Sequence, residues 1–308
     1  MSAQNKSILL VGGNGMLAQK IASLAPLEHT ITAVDLPEFD MTDQTQVFSV
    51  VANIHPEIIV NCAAYTNVDG CETEQELASQ VNGVAVGYLA EAAKQVDATL
   101  VHISTDYVFD GTKQSPYGEK DQTSPQSAYG RSKLLGEQSL LASGLKKFFI
   151  VRTSWLYGPG GNNFVETILR LAGAREELKI VADQIGTPTY TGDLTNAVFS
   201  LLGFSNSHQP MILDCQPPAP CPFGLYHFSN EGQCSWYEFA NEIIAVAKQS
   251  GLLLKVKEVL PIRTEEYPLP ASRPVYSVFD KSKYKQSTGK DIPQWQASLR
   301  NYFIIRNC

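Results

Sequence analysis

Several absences narrow the reading at once. The six cysteines, at 62, 71, 215, 221, 234 and 308, form no C-x-x-C pair and no zinc spacing, so neither a zinc ribbon nor a redox dithiol is expected. The five histidines (29, 55, 102, 208 and 227) make no ligand cluster. His102 lies inside an apolar run and reads as a core residue. The N-terminus lacks a basic segment followed by a long apolar run, so no signal peptide is read, and a cytoplasmic location with reduced thiols is expected. No apolar stretch approaches the roughly 20 residues of a membrane helix. Cations are not in excess: 24 Lys and Arg stand against 31 Asp and Glu, for a net charge of −7. That balance argues against nucleic acid or an anionic membrane as the main partner, but not against a small anionic substrate. There are no repeats and no low-complexity tract.

What is present is an α/β alternation in 308 residues, 44% of them hydrophobic and 18% charged. Strand-like runs at 7–13, 30–35, 57–64, 98–109 and 147–155 alternate with helical patterns at 15–25, 42–54, 76–95 and 128–143. The strand runs are continuously apolar, as in a parallel sheet buried on both faces. The pattern predicts a Rossmann-type doubly wound parallel sheet with a smaller mixed α/β substrate domain. After residue 156 the alternation loosens. A helix near 190–204 and a strand near 224–230 can rejoin the first sheet. The expected division is therefore discontinuous: 1–156 with about 188–230 for the dinucleotide, and about 157–187 with 231–308 for the substrate. The segment 205–223 is proline-rich and reads as an irregular loop.

The first strand runs into "GGNGMLA", giving Gly12-x-x-Gly15-x-x-Ala18. A bare glycine pattern is weak. Here it closes a strand, opens a helix, and is followed by Asp35 at the end of the second strand, near the usual spacing of about 20 residues. Such a loop lets backbone approach a pyrophosphate at the positive end of a helix, while the acid accepts hydrogen bonds from the adenosine ribose. A tight turn in another α/β protein is the competing reading. No Arg or Lys follows Asp35 in "DLPEFD", which favours NADH over NADPH. The small residues Ala63 and Ala64, ending the third strand in "NCAAY", would let a dinucleotide lie close; core packing explains each of them equally well.

"SAYGRSKLLGEQ" (127–138) places Tyr129 and Lys133 four apart, on one helix face. With 13 tyrosines in the chain, chance alone yields about 0.7 such pairs, so the pair means little by itself. Its position after strand four, downstream of a nucleotide loop, gives it weight. A carbonyl reduced by hydride needs a proton, and a nearby cation would lower a tyrosine's pKa from about 10. Thr105, at the end of strand four, is the candidate to hold the carbonyl, with Ser104 as the alternative.

These residues together resemble the extended short-chain dehydrogenase/reductases acting on nucleotide sugars. More narrowly, "STDYVFDG", "RTSWLYG", "GNNFVETILRLA", "DQIGTPTYTGDL", "GLYHFSNEG", "SWYEFA" and "SRPVYSVFD" resemble the dTDP-4-dehydrorhamnose reductase family from about residue 7 to 300. The resemblance implies NAD(P)H-dependent reduction of dTDP-4-dehydro-L-rhamnose to dTDP-L-rhamnose, in polysaccharide biosynthesis. It implies Thr105, Tyr129 and Lys133 as the catalytic set; Gly12, Gly15, Met16, Leu17, Asp35, Asp40, Ala63, Ala64, Tyr65 and Thr66 on the cofactor side; and Asp106 and Trp155 on the sugar side. Arg273 either pairs with the substrate pyrophosphate or makes a structural salt bridge, and Asn163 either caps a helix or touches the nucleotide. Ala18 stands where the family commonly has glycine. Mg2+ is associated with the family, but no carboxylate cage is visible and no metal is placed. A homodimer is compatible with the sequence, which does not fix the assembly. Dehydratases of this type carry Asp-Glu after the strand-four threonine. Here the pair is Asp106-Tyr107, so the base for dehydration is missing. A related epimerase, or a non-catalytic subunit like the regulatory subunit of methionine adenosyltransferase, is the alternative.

Overall fold

The structure is a computed structural model that describes residues 5–204 and 221–306. Among these, six parallel strands form a sheet in the order β10-β5-β4-β3-β1-β2: β1 (Ser7–Val11), β2 (Thr30–Val34), β3 (Ile58–Asn61), β4 (Thr99–Thr105), β5 (Phe148–Thr153) and β10 (Gly224–His227). Period-2 geometry explains the unbroken apolar runs. In β1, Ile8 and Leu10 point into a core shared with α1 (Met16–Leu24) and α8 (Thr191–Leu201). Leu9 and Val11 point into the opposite core, with α2 (Gln44–Ile54) and α5 (Ala85–Gln95). Both faces are covered, so the four positions 8–11 of β1 are all apolar, and the one polar residue, Ser7, stands at its partly buried start. Chain order reverses between β1 and β3, which opens a crevice beyond the carboxyl ends of these strands.

Two expected elements differ in detail. The helix expected over 76–95 is α4 (Gln75–Ser79), a π turn at Gln80–Val84, and then α5. Strand four stops at Thr105 instead of running to 109, and a 3-10 turn, Asp106–Val108, follows. Before these lies the short α3 (Gly70–Thr73), and after them α6 (Ala128–Ala142).

A second core lies beyond β5. The two-residue strand β6 (Leu156–Tyr157) pairs with β9 (Thr189–Tyr190), and β8 (Ile185–Gly186) with β11 (Cys234–Ser235). β7 (Glu177–Val181) pairs in parallel with β12 (Glu258–Ile262). α7 (Phe164–Ala174), α9 (Trp236–Gln249) and α11 (Trp295–Arg306) bury Ile168, Phe239 and Tyr302 against one another. Ser235 and Glu238 form a capping box that starts α9. α10 (Ser282–Thr288) sends Tyr284 into the core of the large sheet instead. Most of the proline-rich stretch, 205–220, lies outside the described residues.

Candidate active site

The crevice holds two adjoining cavities, of about 330 and 600 Å3, which share Gly15, Cys62 and Ala64. Gly12, Asp35, Asp40, Ala63 and Tyr65 line the smaller one. Met16, Leu17, Thr66, Thr105, Asp106, Tyr129, Lys133 and Trp155 line the larger. Fifteen of the sequence-predicted site residues thus share one continuous crevice, and Arg273 and Asn163 do not line it.

The dinucleotide end is built from backbone. Gly12 has φ +80°, and a Cβ there would fall 2.6 Å from the Ala63 nitrogen, so glycine is required for the loop to close on the end of β3. Asp35 accepts the Asn14 and Leu36 amides at 2.8 Å each; its first task is to hold the loop. Asp40 accepts both the amide and the hydroxyl of Thr42. Among the described residues no side chain caps α1, and Met16 and Leu17 of its first turn face the larger cavity. An uncapped helix N-terminus opening into a cavity suits a pyrophosphate, so the residues present fit a dinucleotide. Tyr65 donates its hydroxyl to Glu74, and its backbone is pinned on both sides by Asn82, whose side chain also reaches Ser132 at 3.0 Å. Asn82 lies in the π turn, which is what turns its amide inward. Sequence reasoning missed it. The available signal was a buried amide in an otherwise helical, apolar segment.

The reacting end gathers Thr105, Tyr129 and Lys133. Ser127 caps α6 by accepting the Gly130 amide at 3.1 Å, which places Tyr129 in the first turn and Lys133 one turn on. Thr105 neighbours the Tyr129 hydroxyl and donates to Asp106 Oδ1 at 3.1 Å. The Ser104 hydroxyl, the alternative carbonyl holder, donates to the buried Glu137 carboxylate at 2.5 Å. Burial pushes the Asp106 carboxyl up to about 6, and its Oδ2 has no hydrogen-bond partner among the described residues.

The expected tuning of Tyr129 by Lys133 is to be set beside the geometry of the two groups. Burial raises the Tyr129 phenol above its ordinary value, the Thr105 hydroxyl pulls it part-way back, and Lys133 is not among the groups that shift it. The ammonium instead donates to the Ile103 carbonyl at 2.7 Å. Burial lowers Lys133 to about 8, against the opposing pull of Glu137. The reason is geometric: the shared helix face aligns the two stems, while the ammonium turns down to the strand.

Trp155 lines the larger cavity and adopts φ +46°. Its ring stacks on Trp236, with centroids 3.4 Å apart and planes 9° from parallel, and Trp236 donates to Gln184 at 3.2 Å. Sequence reasoning missed Trp236 because only tertiary contact joins it to Trp155. Of the two readings of Arg273, the structure shows the salt bridge. Both arms of its guanidinium are taken by Asp69, at 3.1 and 2.8 Å, as a structural salt bridge. It borders a third cavity, of about 660 Å3, which meets the larger one at Phe164 and Trp236. Asn163 caps α7 by accepting the Glu166 amide at 3.2 Å. His102 is buried and bonded to Asn61 at 3.2 Å; its Nε2 has no partner among the described residues, and burial keeps the ring neutral.

The sequence profile described as "RmlD substrate binding domain" matches residues 6–306. The chain is 40% identical over 296 residues to a protein of Aggregatibacter actinomycetemcomitans named dTDP-4-dehydrorhamnose reductase, covering 96% of this chain and 97% of that one. It is 40% identical over 301 residues to the spore coat polysaccharide biosynthesis protein SpsK of Bacillus subtilis, covering 97% and 98%. A solved dTDP-4-dehydrorhamnose reductase from Bacillus anthracis, in complex with NADP, superposes with a TM-score of 0.88 at 40% identity, covering 98% of this chain and all of that one. With matched residues that span the sheet, the crevice and the second core alike, this chain belongs to the RmlD family, that of the dTDP-4-dehydrorhamnose reductases.

Proposed function

We propose that this protein reduces the 4-keto group of dTDP-4-dehydro-L-rhamnose to give dTDP-L-rhamnose, with NAD(P)H as reductant. The observation that carries this is the meeting of Thr105, Tyr129 and Lys133 at the point where the dinucleotide crevice opens onto Trp155 and Trp236. The nicotinamide, when bound, supplies the hydride. Thr105 orients the keto oxygen, and the Tyr129 hydroxyl donates the proton that completes the alcohol. A phenol held protonated by burial is in the correct state to give that proton. Lys133 binds the nicotinamide ribose. Asp106 accepts a sugar hydroxyl through its unpartnered oxygen, and the indole of Trp155 forms the apolar floor under the sugar ring. The nucleotide half of the substrate extends past Trp236 into the third cavity, where Arg273 waits beside Asp69.

The large sheet with α8 serves as the dinucleotide-binding domain and the second core as the substrate domain, except that α10, expected in the substrate domain, packs on the large sheet. NADH is the preferred reductant, because the fixed carboxylate of Asp35 opposes a 2′-phosphate; the relative bound to NADP makes the comparison of both cofactors necessary. A cytoplasmic enzyme that works as a homodimer completes the reading. The test is cofactor oxidation at about 340 nm with dTDP-4-dehydro-L-rhamnose, run with NADH and NADPH. One cofactor should be consumed per product formed, and Y129F should lose at least about a hundredfold in kcat while retaining cofactor binding. An epimerase would leave the cofactor pool unchanged, and normal turnover by Y129F would remove the proton-donor assignment.

A further inference from the structure

The helix that carries Tyr129 is held at its start by a side chain from elsewhere in the chain. A helix leaves its first amides without partners. In α6, Ser127 takes one of them, the Gly130 amide, in the usual local way. The Ala128 amide, directly before Tyr129, is taken by Glu72 Oε1 at 2.7 Å, across a sequence separation of 56 residues. The carboxylate is half-buried, its side chain 23% exposed, and its other oxygen lies 3.9 Å from Arg131 one turn along. A negative charge here also complements the helix dipole. Cys71, the neighbour of Glu72, packs on Ala128 and Tyr129. Asp69, two residues earlier, grips Arg273.

We propose that Glu72 is a positioning residue for Tyr129: by capping the Ala128 amide it fixes where the first turn of α6, and with it the donating phenol, stands over the crevice. This rests on the reading of Tyr129 as the proton donor. The Tyr129 ring leans edge-on against Tyr107, centroids 5.5 Å apart, and this contact constrains its tilt. The cap constrains its position along the helix axis. Misplacement by about 1 Å is enough to cost on the order of a hundredfold in a proton-transfer geometry.

The experiment compares E72A, E72Q and E72D with the wild type in the NADH-oxidation assay, across a pH range, with hydrogen exchange followed on the peptide spanning 127–133. Glutamine keeps an acceptor oxygen at the same reach, whereas aspartate keeps the charge but shortens the arm. The expected result is a fall of about tenfold or more in kcat for E72A and E72D, with KM for NADH within about twofold. The alkaline limb of the kcat profile should move, and the 127–133 amides should exchange faster. E72Q should recover most of the rate and protection. A purely structural role would lower the melting temperature without moving the pH limb, and that result overturns the proposal. So does wild-type kcat in E72A or E72D, or an E72Q as poor as E72A. Should E72A not fold, the E72D and E72Q pair gives the same contrast. A wild type that oxidises neither NADH nor NADPH with the sugar nucleotide refutes the proposed function itself. The exchange data then decide separately whether Glu72 holds the start of α6.

Discussion

Replacing Lys133 with methionine should make the protein more stable at neutral pH, even though it removes a residue assigned to the site. Lys133 is 2% exposed, and burial takes its pKa from 10.5 to about 8. At about 1.4 kcal/mol per pH unit, that difference means the folded state holds the charged form at a cost of about 3 kcal/mol. The hydrogen bond to the Ile103 carbonyl, lost in K133M, offsets about 1 kcal/mol of this. Glu137 keeps Arg152 at 2.6 Å and is not stranded. The net gain expected for K133M at pH 7 is therefore about 2 kcal/mol. The sign with pH is definite. Below pH 8 both folded and unfolded chains carry the proton, and the cost is fully present. Between pH 8 and 10.5 the unfolded chain binds the extra proton, so wild-type stability rises with pH. Urea unfolding at pH 7 and pH 10 should show the K133M advantage at the lower pH and its disappearance at the higher. A K133M that is less stable at pH 7, or a gap unchanged between the two pH values, would refute the reasoning.

Two further substitutions probe the frame around the site. E137L strands Arg152, which is 3% exposed, and should cost about 3–5 kcal/mol in urea unfolding, most of it recovered in the E137L/R152M double variant. In G186A the new Cβ would fall 2.5 Å from the Trp155 ring, pushing the indole off its stack on Trp236. Steady-state kinetics should then show KM for the sugar nucleotide raised about tenfold, with KM for NADH unchanged.

The large sheet was legible because its signals are local. β1 states its burial on both faces in four residues, Ile8 to Val11, and Tyr129 and Lys133 declare a shared helix face by their spacing. The order of strand, glycine loop, helix and acid placed Asp35 in the crevice for the same reason. What stayed hidden depends on distant partners. Nothing near Glu72 indicates that it caps α6, and nothing near Trp236 indicates that it meets Trp155. The Lys133 ammonium turns toward Ile103, and the Arg273 fork closes on Asp69, because of neighbours brought in by the fold. Spacing gives the face a side chain shares; it does not give the direction its charged end takes.

The left-handed backbone of Trp155 gives that residue two mechanical roles. At φ +46°, it is the joint at which the chain leaves β5 and begins β6, and so passes from one hydrophobic core to the other. Its ring meanwhile stands between Gly186 and Trp236, at the wall of the larger cavity. A non-glycine residue in that conformation stores about 1–2 kcal/mol, held by the packing of its indole. The backbone that joins the two cores and the indole that walls the cavity thus belong to one residue.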